Sequence, residues 1–201
     1  MNFAELWAAI SSPIGSLLLL VCIGTIGTSN FESIFGMYAM ETLGYGPKQV
    51  GVILTIVGFV AVVGRGILTG LFTRRWGESL VIKGALLSGS ITFILLLLAK
   101  SYGAVLFTSG LFVLTTAFFR PSVHSLTSQR ATIGQGVAMG LSNSFVSSGR
   151  VIGPIWAGAV FDLNPIFPYL SGALILFIVF LLSQVWLEKN KPTTAQAVNQ
   201  G

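Results

Sequence analysis

Four ionisable side chains stand where such groups are expensive. Glu32, Arg65, Arg120 and Arg150 fall inside or near the ends of long apolar runs. On insertion scales a charge at the bilayer centre costs about 2.5 to 3.5 kcal/mol. Glu32 sits some nineteen residues into the first run and seven from its end, roughly 10 Å below the outer boundary at ~1.5 Å per residue. A carboxylate there can take up and release a proton, because loss of water narrows the gap between its protonated and ionised forms. Thr28, Phe35 and Ala39 share its helix face at i−4, i+3 and i+7, and Phe31 and Tyr38 flank it. An acid beside aromatic rings suits a lipophilic cation through charge and cation–π attraction. The opposing reading is an acid held permanently in helix packing.

The other polar residues within the runs have narrower readings. Arg65 either pairs with Glu32 in one state or snorkels to the nearest boundary. Arg120 belongs with His124 and Arg130 at the basic end of its run, while Arg150, ahead of Pro154, faces a cavity or bonds carbonyls freed by that proline. Asn143 is a cavity-lining candidate. With a single cysteine, Cys22, and a single histidine, His124, there is no basis for a disulfide framework or a Cys/His metal site, and no cofactor is expected.

The elements that must position these groups are membrane helices. Of 201 residues, 53% are hydrophobic and only 8% charged, with a mean hydropathy of +0.86. A soluble domain carries about 25% charged residues, so the composition argues against a water-soluble enzyme. Apolar runs occupy 13–39, 48–72, 79–99, 102–125, 136–161 and 166–187, each near the ~20 residues that span a bilayer. They lack the two-residue alternation of barrel strands. The formal charge of +5 is spread over the ends of these runs, so it points to topology rather than nucleic acid. Arg74, Arg75, Lys83, Arg130, Lys189 and Lys191 collect on one side and Lys48 and Lys100 on the other, which predicts both termini in the cytoplasm. Residues 13–187 then form the transmembrane domain, and 188–201 a polar, disordered cytoplasmic tail.

Small residues predict close helix packing. Gly66 and Gly70 form a small-xxx-small pair, and Gly136, Gly140, Ser144 and Ser148 make one face of the fifth run, continued by Gly149 and Gly153. Pro154 removes an amide donor and predicts a kink near Gly149 and Arg150, with packing and gating both open as its role.

Three segments resemble the major facilitator superfamily. Gly70-Leu-Phe-Thr-Arg74-Arg75-Trp-Gly77 is similar to its cytoplasmic loop motif, with Arg74 at the usual aspartate position and Glu78 where a base is usual, a pair of reversed sign. Phe119-Arg120-Pro121, Gln135-Gly136 to Gly140, and Gly149-Arg150 through Gly153-Pro154 to Asp162 resemble the tenth and eleventh helices of twelve-span drug:proton antiporters. Asn30-Phe31-Glu32-Ser33 with Tyr45-Gly46-Pro47-Lys48 resembles the seventh helix and following loop of quinolone-type multidrug exporters. The resemblance covers about 13–187 and implies an all-α membrane protein in the bacterial cytoplasmic membrane. Its six helices would form the C-terminal half of a major facilitator fold, as two inverted three-helix repeats, with 1–12 the end of the central cytoplasmic loop.

The function so implied is export of lipophilic or cationic drugs in exchange for protons by alternating access. Glu32, Thr28, Phe31, Phe35, Tyr38, Asn143 and Arg150 would serve coupling and substrate. Gly70, Arg74, Arg75, Gly77, Arg120, Gly149, Gly153 and Pro154 would serve gating and the loop motif. Expected partners are the bilayer, the drug and protons, and an N-terminal six-helix half or a second copy. The competing reading is a truncated remnant that does not transport, or a half that only binds a partner.

Other six-helix chemistries fit poorly. A rhomboid-type protease needs Gly-x-Ser-Gly and a histidine on a later helix, whereas Ser109-Gly110 lacks the first glycine and His124 is on the same run. A single Asn164-Pro165-Ile166 does not make a water channel, and no phosphate-binding Gly-x-x-x-x-Gly-Lys-Ser/Thr loop is present to support ATP-driven transport.

Overall fold

The computed structural model describes residues 14–131 and 134–189. The entering segment 1–12 and all but the first residues of the polar tail lie outside them. The described chain is helical throughout: α1 Gly15–Glu41, α2 Pro47–Val63, α3 Thr69–Trp76, α4 Glu78–Leu98, α5 Tyr102–Ala117, α6 Phe119–Arg130, α7 Gln135–Phe161 and α8 Phe167–Lys189. A π-helical turn, Gly64–Leu68, joins α2 to α3 without a break, and a single turn at Phe118 joins α5 to α6. Five segments are long and apolar enough to cross a membrane, namely Gly15–Glu41, Pro47–Gly66, Glu78–Leu98, Tyr102–Arg130 and Phe167–Leu187. The chain is therefore a multi-pass membrane protein. α7 is as long as α1, at 27 residues, but its glycines, serines, Asn143 and Arg150 dilute its apolar character.

Local chemistry sets the ends. Gly46 and Gln49 open α2 with Pro47 at its first turn, the Gly46 amide donating to Gln49 Oε1 at 2.9 Å. Ser101 Oγ accepts from the Ala104 amide at the start of α5. Gly77 turns α3 into α4 at φ +77°, a conformation L-residues rarely take, which explains this glycine of the loop motif.

α1 is the central helix, packed along α7 on one side and α8 on another; α4 lies between α8 and α5, and α2 packs on α5. The core is an aromatic column. Phe31 stacks on Phe35 and Phe112 with centroids 4.9 Å apart, Phe93 on Phe112 at 4.3 Å, and Tyr38 on Tyr169 at 4.5 Å.

Close contacts through glycine join the helices, but not through the glycines that spacing singled out. A Cβ on Gly149 would lie 2.7 Å from the Cys22 carbonyl and one on Gly153 2.6 Å from Ser29 Cβ, so α7 meets α1 nearly backbone to backbone. A Cβ on Gly66, Gly70, Gly136 or Gly140 would meet nothing within 4 Å, and Ser144 and Ser148 are exposed, donating back to the carbonyls of Gly140 and Ser144 at 3.0 Å. The expected packing face of α7 is thus open. Gly149 and Gly153 lie on a different face of the helix, and they alone of this set pack within the bundle.

Between α4 and α8 the Ser90 hydroxyl donates to the Ala173 carbonyl at 2.9 Å, in a buried seam. Interhelical hydrogen bonds in membranes average about 0.6 kcal/mol. Ser90→Ala is therefore expected to destabilise by ~0.5 to 1 kcal/mol, lowering the thermal midpoint in detergent by about 1 to 4 °C.

Candidate functional site

The isolated charges of the sequence converge. A recess is lined by Thr28 and Glu32 of α1, Arg65 of the π turn, Thr116 and Ala117 of α5, and Phe119 and Arg120 of α6. Arg120 lies within electrostatic reach of Glu32, Arg65 and also Arg150 of α7. Four residues spread over 119 positions of sequence thus come together because four helical segments meet around α1.

Glycines let them meet. At Gly24 a Cβ would run into the Phe119 ring, so the ring docks directly on α1 and fixes the start of α6 where Arg120 follows. At Gly64 it would stand 3.0 Å from Ala117 Cβ, bringing the π turn onto α5. Within that turn the Gly64 carbonyl accepts from both the Thr69 amide and, at 3.0 Å, the Thr69 hydroxyl. Such turns insert one extra residue and rotate the helix face, which is why they recur at functional positions. Arg65 is presented to the recess by this turn. Periodicity alone reads straight through it.

The Thr28 hydroxyl donates to the Thr25 carbonyl at 3.2 Å and that of Thr116 to the Phe112 carbonyl at 2.8 Å, so both protons are committed. Arg120 Nη2 is buried and has no hydrogen-bond partner among the described residues. The space is small, about 20 Å³, enough for one water or for the end of a polar group. Glu32 and Arg65 of the lining are exposed, and Arg150 is exposed on α7.

The aromatic residues expected around Glu32 are elsewhere. Phe31, Phe35 and Tyr38 are 2%, 1% and 3% exposed and belong to the core column. They repeat at i, i+4 and i+7, a stripe that α1 turns inward. Phe35 is about 60° from Glu32 around the helix, enough to place the two on opposite sides of the packing boundary. Thr28 alone of the expected neighbours lines the recess. Asn143 is exposed on α7. Pro154 is also exposed, and α7 runs through it as one helix.

At the basic end, Arg74 and Arg75 are exposed, whereas Glu78 Oε1 accepts from Ser125 Oγ at 3.0 Å and from Gln129 Nε2 at 2.7 Å. The carboxylate therefore ties α4 to α6 rather than to Arg74. The Gly77 turn separates the two, leaving Glu78 to open α4, where the helix N-terminus favours an anion. His124 Nδ1 lies 3.2 Å from Ser142 Oγ, and Arg130 Nη2 donates to the Leu187 carbonyl at 3.2 Å, so α6 is joined to α7 and α8. Among the described residues no cluster of three metal-ligating side chains occurs.

Sequence periodicity missed Asn30, Thr25 and Ser29. All three are buried, and their side-chain polar atoms lack hydrogen-bond partners among the described residues. Thr25 and Ser29 back onto the Gly149 and Gly153 contacts, and Asn30 lies against Gly172.

Comparison with known proteins places the fold. The family model described as Major Facilitator Superfamily matches residues 17–200. The chain belongs to the major facilitator superfamily. Members of this superfamily are transporters rather than enzymes, and the resemblance drawn from the loop motif and the α6–α7 segments is to this family. The chain is 28% identical over 177 residues to Multidrug resistance protein 2 of Bacillus subtilis (strain 168), covering 88% of itself and 44% of that protein. It is 29% identical over 168 residues to Multidrug resistance protein 1 of the same organism, covering 84% and 43%. To the Quinolone resistance protein NorA of Staphylococcus aureus (strain MSSA476) the identity is 26% over 181 residues, covering 89% and 46%. The chain thus spans somewhat under half the length of the curated relatives it matches.

Proposed function

We propose that this chain is the C-terminal six-helix half of a multidrug exporter, which moves lipophilic drugs across the bacterial cytoplasmic membrane in exchange for protons by alternating access. The carrying observation is Glu32. A single carboxylate within a membrane helix stands at a recess with Arg65 and Arg120, in a chain whose relatives are named for multidrug and quinolone resistance. Glu32 is the group that takes up the proton, and Arg120 lies within electrostatic reach of it.

Helix pairing supports the six-span, inverted-repeat reading. If α1, α2–α3 and α4 form one repeat and α5–α6, α7 and α8 the other, the pairings are reciprocal. The first helix of one repeat packs on the second of the other in both directions, as α1 on α7 and α5 on α2. Third packs on third as α4 on α8, and first on third as α1 on α8 and α5 on α4. Reciprocity of this kind is what a two-fold axis between repeats requires.

The open glycine stripes, one running from the π turn into α3 and the other on α7, support a partner half. Gly66 and Gly70 on one, and Gly136 and Gly140 on the other, are small residues with no neighbour inside this bundle, and small stripes in membrane helices serve close approach of another helix. The Arg74, Arg75 and Arg130 end is cytoplasmic by the positive-inside rule. Gly149, Gly153 and Pro154 provide the seam about which α7 moves during access change.

Everted membrane vesicles test the function. With the chain paired with an N-terminal six-helix half, addition of norfloxacin or ethidium to vesicles holding a pH gradient is expected to release protons, read as dequenching of a pH-sensitive dye. The chain alone is expected to give none unless it self-associates. A paired chain that moves neither drug nor proton supports the remnant reading instead.

A further inference from the structure

We propose that the groove between α3, α4 and α5 holds one anionic phospholipid, its acyl chain along the groove and its phosphate on Arg75. The groove shares no lining residue with the Glu32 recess.

The walls follow from the residues. Phe72 and Trp76 stand one turn apart on α3, with ring centroids 5.0 Å apart, and Phe72 also meets Phe118 at 5.2 Å. α4 supplies the facing wall through Leu80 and Gly84. A Cβ on Gly84 would meet nothing within 4 Å, so the missing side chain leaves open depth rather than a helix contact. The hydroxyls of the lining have committed protons: Ser88 donates to the Gly84 carbonyl at 2.6 Å and Thr115 to the Phe112 carbonyl at 2.9 Å. The groove therefore takes an apolar occupant. Its volume, about 180 Å³, exceeds the ~150 Å³ of an engineered apolar cavity that binds benzene. From Leu80 to Ser88 it follows α4 for roughly 12 Å, the shape of a chain rather than of a ring.

Position decides which apolar occupant. Trp76 is 53% exposed and Leu80 61%, where the second apolar run gives way to Arg74-Arg75-Trp76-Gly77-Glu78. An exposed tryptophan beside arginines at the end of a membrane helix marks the headgroup level, so the groove opens there and deepens into hydrocarbon. A partner half is not its occupant. Phe72 stands about 160° around α3 from Gly70, so the groove faces away from the glycine stripe.

Charge selects the headgroup. Arg75 is exposed and neighbours Phe72 at i+3, on the groove side, whereas Arg74 follows Gly70 at i+4 on the stripe side. Glu78, the acid nearest in sequence, is engaged by Ser125 and Gln129 of α6. Basic pockets between membrane helices bind anionic headgroups, and a guanidinium meets a phosphate through two parallel N–H bonds. A zwitterionic headgroup brings a cation of the same sign as Arg75 and gains less.

Native mass spectrometry of the purified chain tests this, with dioleoyl phosphatidylglycerol and dioleoyl phosphatidylcholine added in equal amounts to the detergent. The chain is expected to retain one phosphatidylglycerol, about fivefold in preference to phosphatidylcholine, the worth of one basic side chain at an anionic surface. Arg75→Gln is expected to bring the two lipids within about twofold, and Arg74→Gln to leave the preference standing. Gly84→Leu, which fills the groove and keeps both arginines, is expected to abolish retention. An excess of glycerol phosphate is expected to displace nothing, since it has no chain for the groove. Equal retention of the two lipids by the parent chain, or retention of neither, overturns the proposal without any variant having to fold. So does a preference that survives Arg75→Gln, or one that falls equally with Arg74→Gln, as diffuse surface charge would produce. A Gly84→Leu protein that still holds the lipid, or displacement by glycerol phosphate, overturns it as well.

Discussion

Replacing Gly153 with valine is expected to lower the stability of the bundle by about 3 kcal/mol or more, the upper part of the range for overpacking. For a chain of this size that is a fall of roughly 6 to 12 °C in the thermal midpoint. The size of the effect follows from what the new atoms would meet. The Cβ alone would stand 2.6 Å from Ser29 Cβ and 3.2 Å from the Ile26 carbonyl of α1, and backbone cannot swing aside as a flexible side-chain end can. In lipid no hydrophobic drive is available to offset the clash, because the bilayer is as apolar as the protein interior and packing itself holds helices together. Gly149→Val is expected to act alike, since its Cβ would meet the Cys22 carbonyl at 2.7 Å. Gly158→Val, on the same helix with nothing within 4 Å, is the control and is expected to shift the midpoint by no more than about 2 °C. A Gly153→Val protein melting with that control would mean that α7 and α1 are not in close approach.

In the chain paired with an N-terminal half, Glu32→Gln is expected to abolish the proposed proton-coupled drug export, by at least about tenfold in initial rate, while the protein still reaches the membrane in normal amount. The amide matches the acid in size and exposes the same polar surface, but it cannot carry a proton on and off. Insertion is not harmed, because a neutral side chain costs less in the bilayer than the ~2.5 to 3.5 kcal/mol of an ionised one. Glu32 also lies on the open side of the recess, so no core contact is lost. Downhill drug movement without a pH gradient is expected to survive, since the path for the drug is intact. Glu32→Asp, which keeps a titratable group about one bond shorter, is expected to retain part of the coupled rate. Export by Glu32→Gln that still tracks the pH gradient would remove Glu32 from the coupling step.

Both expectations depend on a seam and a recess that the sequence does not display to the same extent. The apolar runs and their helical nature follow from composition, since only a helix satisfies every backbone group along twenty apolar residues in lipid. The unusual character of Glu32, Arg65, Arg120 and Arg150 follows as well, because a charge stands out against such a background. Glycine is different. Its presence predicts that something comes close but not which glycine is used, and the two sets on α7 show the difference: Gly149 and Gly153 touch α1, while Gly136 and Gly140 touch nothing in this bundle. A membrane helix carries so little amphipathic signal that its inward face is not written in its periodicity. For the same reason Phe31, Phe35 and Tyr38 read as neighbours of Glu32 along α1, yet the helix turns them into the core.

What the sequence by itself determined is the membrane class, the segments that become helices and the identity of the few residues able to carry charge within them, because the cost of polar groups in hydrocarbon acts residue by residue. What only the tertiary structure decided is that Glu32, Arg65 and Arg120 line one recess, that Arg65 reaches it through a π turn, and that the rings next to Glu32 in sequence turn into the core instead. Those outcomes depend on how helices rotate and approach one another, and in lipid that is settled by steric fit between distant segments such as Gly24 with Phe119 and Gly64 with Ala117.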